Sequence, residues 1–586
     1  MLRKDVSLER IWATEDLLNE EELPRYFQDI KDGSVEISKF RGKLNKENAI
    51  DCLLTYSKIN YKIEKCYIYI MIKGDENKSV AKYNELKGQI EALYVEFLTE
   101  SSFIQPALAA FKQKDLNEML KNPAYEYFTM FLTDIIREKK HLLSEKEEAL
   151  LSGVGGFSDE FRTIFSMFDN VDVDFGEIDY HGEKVRLTHG LYSLCLQDTD
   201  ANLRKTAYEQ VYNGYMKMIH TVAGMYIGNV KKDYFYAKAR KYSNCLESAL
   251  YGENIPERVY NNLIEIVDKY APVMHEYVAY RKKCLKLKEL HMYDMYLPIV
   301  DIDNTVTEFD KAYDIVCDAL APLGEEYVSV LRQAKRDRWI DVEETENKKS
   351  GAYQIGAYGV HPYVLLNHKG TIHDVFTIAH EMGHAMHTYY ATGAQCYEKA
   401  NYSIFVAEIA STVNEVLMIK HMLKTAEGKQ KKYLLSYYVD MLRTTLFRQT
   451  MFAEFEKFAH EAIENGEPLS YERMNEYYGE LNKKYYGESV ITDEYIKYEW
   501  ARIPHFYTSF YVYKYATGIT CAINIANMIL NDASNVEKYK NFLKCGGSKY
   551  PMENLALVDI DLTKKTPFVN VMREFKSVLK ELKSIK

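Results

Sequence analysis

Helix-breaking residues are rare in this chain, and their scarcity limits the folds it can adopt. Only 12 prolines and 28 glycines occur among 586 residues, and these are the residues that most often end helices and strands. Stretches such as NKENAIDCLLTYSKINYKIEKCYIYIMIKGDEN place apolar residues at helical spacing instead. The chain is also too long for one ordinary hydrophobic core. We therefore predict a mainly helical protein with two or more lobes or one large multi-helix body.

Residues 290–372 differ in amino-acid composition from the segments around them. LHMYDMYLPIV, DRWIDV, GAYQIGAYGV and PYVLLNH carry β-branched and aromatic residues, with glycine and proline between them. That composition is typical of short strands. Helical patterns resume at about residue 373 and continue to the C-terminus.

Two shorter segments give local predictions. FGEIDYHGEKVRLTHG, at 175–190, has the pattern of a small hairpin. GVGGF, at 153–157, follows a helical run and lacks both phosphate-loop patterns. We predict a helix end and a turn there.

Charge and cysteine content narrow the class of protein. The chain has 75 Lys+Arg against 86 Asp+Glu and a net charge of −11, which does not favour nucleic-acid binding. Its nine cysteines form no CxxC pair, so neither a disulfide framework nor a zinc ribbon is indicated. The N-terminus lacks the apolar core of a signal peptide, and no apolar run has the length of a membrane span. We expect a cytoplasmic protein that binds no nucleic acid, no membrane and no obligate protein partner.

HEMGHAMH, at 380–387, is the strongest functional signal. His380, Glu381 and His384 match the H-E-x-x-H pattern of zinc peptidases, which also has chance matches. The surrounding DVFTIAHEMGHAMHTYY is apolar at helical spacing, so the motif should lie on a helix. Positions i and i+4 are then about 40° apart around the axis, and both imidazoles can reach one ion. Glu381 can take a proton from a metal-bound water.

His387 is a weaker candidate for a ligand. It lies only about 20° from His380 around the helix axis but about 10 Å further along it. One ion cannot be bound by residues two turns apart unless the helix breaks, and no glycine follows His384 before it. We expect His387 to pack, to support a ligand or to face the substrate.

A catalytic zinc site needs a third protein ligand and an open coordination position. Glu408 is the candidate, within the mainly apolar run YSIFVAEIASTVNEVLMIKHML. Glu408, Ser411, Thr412 and Glu415 follow helical spacing and so share a face. An ordinary solvent-exposed face would give the same pattern. If the helix is buried, its carboxylates need partners, and a metal ion is one.

These residues resemble the oligoendopeptidase F branch of the thimet-oligopeptidase-like zinc metallopeptidases. FTIAHEMGHAMH, followed by Glu408 in FVAEIASTVNEVL, carries the resemblance, and GAYQIGAYGVHPYVLLNH and HFYTSFYVYKYATG extend it. It covers most of the chain and is strongest from about residue 190. It implies a mostly helical, two-lobed body around a deep substrate channel, with a small β region near the active site.

The resemblance also implies three regions along the chain. Residues 1–110 would be an N-terminal helical region. Residues 111–190 would form an oligoendopeptidase F-like N-terminal lobe. Residues 191–586 would form the zinc metallopeptidase catalytic domain.

Roles for individual residues follow from the same resemblance. It implies that His380, His384 and Glu408 bind one zinc ion per chain and that Glu381 is the general base. Further catalytic roles are implied for three residues of the later segment: His505, Tyr511 and Tyr513. Glu415 is expected to accept a hydrogen bond from the distal N–H of a ligand histidine, or to be solvent-exposed.

The glycine-rich segment GAYQIGAYG is a candidate for substrate binding. A peptide backbone could approach closely there and add to an edge strand through main-chain hydrogen bonds. The candidates are Gly351, Ala352, Tyr353 and Gly356, together with Tyr507 from the later segment. A hairpin with glycines at its turns is the alternative interpretation.

The predicted function is zinc-dependent hydrolysis of internal peptide bonds in short, unstructured peptides. A carboxypeptidase or dipeptidase would use the same zinc chemistry. A peptide-binding helical scaffold, in which HEMGH is a chance match, is the non-enzymatic alternative. A His₂Glu site also accepts divalent ions other than zinc.

Overall fold

The computed structural model describes residues 1–300 and 306–585 and is mainly helical, as predicted. Two compact units divide the chain, and each is assembled from three separate segments. Unit 1 comprises the described residues of 1–140, 304–421 and 525–560. Unit 2 comprises those of 141–303, 422–524 and 561–586.

The elements are given in chain order. Before residue 141 the helices are α1 (Leu23–Ser38), α2 (Ala49–Glu76), α3 (Ala81–Ser101), α4 (Ile104–Ala109), α5 (Gln113–Lys121) and α6 (Thr129–Glu138). Between residues 141 and 300 the helices and strands are α7 (Glu145–Ser158), α8 (Glu160–Met167), β1 (Glu177–Tyr180), β2 (Glu183–Arg186), α9 (His189–Cys195), α10 (Ala201–Met216), α11 (Ile219–Ala239), α12 (Cys245–Tyr251) and α13 (Glu257–Cys284).

The second half continues from residue 306. Its first elements are α14 (Phe309–Ala319), α15 (Glu325–Arg336), strands β3 (Ile340–Glu343), β4 (Tyr353–Ile355) and β5 (Tyr363–His368), and then α16 (Ile372–Ala394), α17 (Tyr397–Ala400) and α18 (Ile404–Thr425). The last are α19 (Gly428–Leu442), α20 (Arg448–Glu464), α21 (Tyr471–Tyr486), α22 (Tyr513–Asn531), α23 (Val536–Lys544), α24 (Pro551–Ala556) and α25 (Thr566–Ser584).

Three strands form a small sheet in unit 1, in the order β3-β5-β4. β5 is central, parallel to β3 and antiparallel to β4. Its first four residues, Tyr363–Leu366, are all buried, which explains why PYVLLNH reads as a continuous apolar run. β4 is an edge strand, so one of its sides has no strand partner among the described residues.

Two of the local predictions are confirmed and two are wrong. The hairpin at 175–190 and the strands within 337–368 are present. The predicted strand at 290–300 is wrong, because the Asp294 carboxylate accepts a hydrogen bond from the His291 backbone N–H (2.9 Å) and starts a 3₁₀ turn.

The predicted turn at 153–157 is also wrong, because α7 continues to Ser158. A capping box formed by Ser144 and Glu147 begins this helix. Leu151, within it, is 7% exposed. The cap and this packing outweigh the low helix propensity of the glycines.

Candidate active site

The HEMGH motif lies on α16, as predicted. This helix begins at a capping box in which Thr371 Oγ1 accepts from the Asp374 N–H (3.2 Å) and Asp374 Oδ2 accepts from the Thr371 N–H (2.8 Å). Gly370 precedes the cap with φ +83°, and a Cβ there would lie 2.6 Å from Val306 Cγ1. The sequence GTIHD therefore fixes where the motif helix starts.

Three side chains converge at the centre of unit 1. His380 Nε2 and His384 Nε2 are 3.2 Å apart. Each lies 3.6 Å from Glu408 Oε2 on α18. Zinc bonds of about 2.0–2.1 Å in a tetrahedral arrangement place ligand atoms about 3.3–3.4 Å apart. The triangle has the size that a tetrahedral zinc ion requires, and the fourth position would be left open. Within the described part of the chain, these three residues lie close enough together to hold one metal ion.

Close packing between α16 and α18 brings Glu408 to the two histidines. A Cβ at Gly383 would lie 2.5 Å from Ser411 Cα and 2.7 Å from the Ala410 carbonyl oxygen. Only glycine permits that approach without a backbone shift. Asn414 Nδ2 also donates to the Ala379 carbonyl across the two helices (3.0 Å).

Carboxylates make the surroundings of His380 favourable to positive charge. Its Nδ1 lies 3.5 Å from Glu415 Oε1. Burial opposes the charged imidazole, but Glu415, Glu381 and Glu408 together raise the pKa of His380 to about 9. Burial and the neighbouring His380 and His387 instead lower the pKa of His384 to about 3. A neutral His384 is the form that binds a metal, and the carboxylates favour a cation beside it.

Glu381 is the acidic side chain next to the histidine pair. The residue is 7% exposed. Burial and the charges of Glu408 and Glu415 raise the pKa of its carboxyl group to about 7, against the opposing effect of His380. A carboxyl group with that pKa can both accept and donate a proton near neutral pH.

His387 lies outside the converging group. Its side chain is fully buried and stacks on Tyr402, with ring centroids 3.6 Å apart and planes 4° from parallel. Burial lowers its pKa to about 3. Of the roles open to His387, this geometry favours packing.

The substrate-binding candidates of GAYQIGAYG lie on and beside β4. Tyr353 donates its hydroxyl to Asp75 Oδ2 (2.6 Å). A Cβ at Gly356 would lie 2.2 Å from Thr388 Cγ2 on α16. Gly351 has φ +82° and open space around it, and Ala352 follows it. The lack of a side chain at Gly356 therefore lets the end of β4 pack against α16. Gly351 instead lies at a bend before the strand.

Two pockets adjoin α16, one beside β5 and the residues just before β4, the other beside β4 itself. One, of about 430 Å³, is lined by Gly351, Ala352, His373 and Thr377 among others. The other, of about 290 Å³, is lined by Gln354, Gly356, Thr388 and Tyr402 among others. The histidine pair comes between these two sets of α16 residues in the sequence.

The remaining candidates belong to unit 2, in the segment before α22 and at the first residue of that helix. His505 is exposed, and its Nε2 lies 3.3 Å from the Tyr515 hydroxyl oxygen. Tyr511 is half-buried, with its ring centroid 6.0 Å from that of His505. Tyr513 is fully buried against Tyr260.

Tyr507 is buried as well, and its ring stacks on Phe165 at 4.4 Å. Its position in unit 2 is that of a packed core residue.

Asn414 is a residue that does not stand out in the sequence, because a single amide within an apolar run gives no periodic signal. Tyr515 is similarly hidden among many neighbouring tyrosines.

Comparisons with known proteins identify the family to which the chain belongs. The sequence profile of Peptidase family M3 matches residues 194–574, and that of Oligopeptidase F matches residues 108–175. Oligopeptidase PepF of Bacillus subtilis is 37% identical over 100% of this chain and 88% of its own length. Group B oligopeptidase PepB of Streptococcus agalactiae is 37% identical over 90% of this chain and 88% of its own.

A solved structure, that of oligoendopeptidase-F from Enterococcus faecium, has a TM-score of 0.76 and 30% identity, covering 97% of this chain and 99% of its own. The chain belongs to peptidase family M3, in its oligoendopeptidase F branch. This confirms the resemblance in the sequence and makes the protein a peptidase. Across residues 1–300 and 306–585, no helix is long and apolar enough to cross a membrane.

Proposed function

We propose that this chain is a zinc-dependent oligoendopeptidase that hydrolyses internal bonds of short, unstructured peptides. The observation that carries the proposal is the triangle of His380 Nε2, His384 Nε2 and Glu408 Oε2, whose sides of 3.2, 3.6 and 3.6 Å fit one tetrahedral ion. These three residues would hold the metal. Glu415 would orient His380 by accepting its Nδ1–H.

Zinc, when bound, would polarise the scissile carbonyl and lower the pKa of a water in the open position. Glu381 accepts a proton from the attacking water and then donates it to the nitrogen of the leaving amine. Burial, which raises the pKa of the carboxyl group, supports its uptake of the proton from water. The side chains of His380 and His384 are partly buried, with 28% and 16% of their surface exposed.

The edge strand β4 is the proposed binding element for the peptide backbone. A peptide pairing with it would be held through main-chain hydrogen bonds, which accept many sequences. Tyr353, bonded to Asp75, and Gly356, packed on Thr388, would keep the strand rigid beside α16. Gly351 and Ala352 would line the start of the same binding surface.

The segment 505–515 would supply donors for the oxyanion that develops at the scissile carbonyl. His505 and Tyr511 are the proposed catalytic side chains, because both are accessible on unit 2. The complete burial of Tyr513 favours a packing role for it, and the same holds for Tyr507. The proposed catalytic domain remains residues 191–586.

A peptide mixture tests the proposal directly. Purified protein is incubated with unstructured peptides of graded length, with and without a zinc chelator, and the products are read by mass spectrometry. Bound metal is measured on the same sample by inductively coupled plasma mass spectrometry. Internal cuts that chelation abolishes and zinc restores are expected.

Other outcomes separate the alternatives. Products trimmed only from the C-terminus would indicate a carboxypeptidase, and dipeptide substrates alone would indicate a dipeptidase. Cleavage that survives complete metal removal would contradict the proposed metal site. Restoration by another divalent ion at its cellular concentration, but not by zinc, would change the metal and leave the ligands as proposed.

A further inference from the structure

The segment that carries His505 and Tyr511 has little regular structure of its own. It comprises a short 3₁₀ turn, Pro504–Tyr507, and an irregular stretch that leads into α22. Such segments rely on their surroundings for a defined conformation. The contacts that fix this one therefore decide where the two side chains point.

Polar side chains of α11 and α20 hold the segment at three points. The Phe510 backbone N–H donates to Glu456 Oε1 (2.6 Å). The Ser509 hydroxyl donates to Asp233 Oδ2. Asn229 Nδ2 donates to the Phe506 carbonyl oxygen (3.4 Å). All of these contacts lie within unit 2, between His505 and Tyr511 in the sequence.

His460 contacts both Asp233 and Glu456, the two residues whose carboxylates hold the segment. Its Nδ1 lies 2.8 Å from the Glu456 carbonyl oxygen and its Nε2 lies 3.2 Å from Asp233 Oδ2. Both partners are acceptors, which favours a protonated imidazole that donates from both ring nitrogens. Burial opposes that charge, but the hydrogen bond and charge of Asp233 raise the pKa of His460. Glu456 and His460 are 0% and 1% exposed.

The backbone of the segment is strained at the point where Glu456 holds it. Phe510 has φ +54°, a left-handed conformation that is unfavourable for a residue other than glycine. Its ring packs on His460, with centroids 4.5 Å apart, and on Tyr260 at 5.7 Å. Strain of this kind persists only where the surroundings impose it, and it clusters at functional sites.

We propose that Asp233, Glu456 and His460 are positioning residues, which hold His505 and Tyr511 in the orientation that peptide hydrolysis requires. The inference rests on the catalytic role proposed above for those two side chains. A small displacement of a catalytic group can cost about 10²-fold in rate. The cluster would therefore act on turnover without contacting the peptide or the metal.

A conservative pair of variants at Glu456 tests the inference in the zinc-loaded full chain. Glu456→Gln keeps an oxygen acceptor for the Phe510 N–H, whereas Glu456→Leu removes it at similar volume. We expect Glu456→Leu to lower kcat by about 10- to 100-fold with KM and bound zinc unchanged. Glu456→Gln should restore most of the lost kcat. If Glu456→Leu does not fold, Ser509→Ala removes a second attachment while leaving the cluster intact.

A matched control separates positioning from general stability. Asp294 is buried in unit 2 and accepts from Arg204 Nη2 (2.8 Å), away from the segment in sequence. Asp294→Asn should lower the melting temperature without a selective loss of kcat. A triple variant, Glu456→Leu with His505→Ala and Tyr511→Phe, should be no slower than the His505→Ala, Tyr511→Phe double variant, because the change at Glu456 acts through those two side chains.

The opposing results are distinct. Equal kcat losses for Glu456→Gln and Glu456→Leu, or losses that merely follow melting temperature, would overturn the positioning role. A normal kcat for Glu456→Leu would also overturn the positioning role if His505→Ala lowers kcat. If His505→Ala and Tyr511→Phe both keep normal kcat, the catalytic role of the segment fails and the positioning role fails with it. Zinc-dependent cleavage by the HEMGH site would stand in either case.

Discussion

Glu381 is the residue whose chemistry can be isolated most cleanly. Glu381→Gln keeps the size of the side chain but cannot take a proton from water. General-base catalysis contributes about 10²–10⁴-fold, so we expect turnover to fall by that factor while bound zinc stays constant. Peptide cleavage and metal content measured on the same preparation check this. Near-normal cleavage would contradict the assignment of Glu381 as the base.

The ligand assignment predicts opposite results for Glu408 and His387. Glu408→Ala removes one corner of the metal triangle, so most of the bound zinc should be lost after dialysis. His387→Ala removes a buried ring stacked on Tyr402, so stability should fall by about 2–4 kcal/mol with zinc retained. Metal analysis and thermal unfolding of both variants distinguish these effects. The reverse pattern would indicate a three-histidine site.

The sequence singled out the residues of the candidate metal site, but it could not show which of the tyrosines are accessible. The i, i+4 spacing of His380 and His384 is a local property of a helix. From the sequence, Tyr511 and Tyr513 are equally good candidates for a catalytic role. Only their packing distinguishes them, since Tyr513 is fully buried and Tyr511 is not. Burial depends on neighbours such as Tyr260 that are distant in the chain.

At the scale of elements, the contact between α16 and α18 determines the site. Gly383→Ala would place a methyl group within 3 Å of the backbone of Ser411 and Ala410. We expect a loss of about 1–3 kcal/mol and weaker zinc binding, because the helices must separate and carry Glu408 away. Thermal unfolding and competition with a chelator measure the two effects.

Gly393, near the end of the same helix, provides the control. A Cβ there meets nothing within 4 Å, and its φ is not positive. Gly393→Ala should be neutral or stabilising by up to about 1 kcal/mol and should leave zinc affinity unchanged. Equal effects of the two substitutions would show that helix propensity, and not helix contact, explains Gly383.

The element predictions succeed where a pattern is local and fail where a distant contact intervenes. β5 follows from four successive apolar residues. The segment 290–300 has a similar composition, but Asp294 is bound by the buried Arg204 guanidinium and forms a turn. Arg204 is 90 residues away in the sequence, so no window over the segment contains that information.

At the scale of the whole molecule, the N-terminal residues and the metal site belong to the same compact unit. The Ala13 backbone N–H donates to the Arg338 carbonyl oxygen (2.7 Å), and the Tyr363 hydroxyl donates to the Ala13 carbonyl oxygen (3.1 Å). Arg3 Nη1 donates to the buried Asp341 (2.8 Å). The first residues of the chain thus complete the surroundings of β3 and β5.

This arrangement predicts the behaviour of a fragment. Residues 191–586, the proposed catalytic domain, contain every proposed site residue but lack the N-terminal segment of unit 1. Without it, apolar side chains of β3 and β5 would be exposed, so we expect no cooperative thermal transition and weak zinc binding. Circular dichroism and metal titration, with the full chain as control, provide the measurements. A cooperative, zinc-binding fragment would contradict this prediction.

The sequence alone determined the helical class and the helix that carries HEMGH, because both depend on local periodicity and residue spacing, and its resemblance to known peptidases indicated the family. It also indicated Glu408, although an exposed helix face would have had the same pattern. Tertiary structure decided that Glu408 reaches the histidines, that His387 packs on Tyr402 and that the first 140 residues join the unit containing α16. Those features depend on contacts between distant segments, which no local pattern specifies.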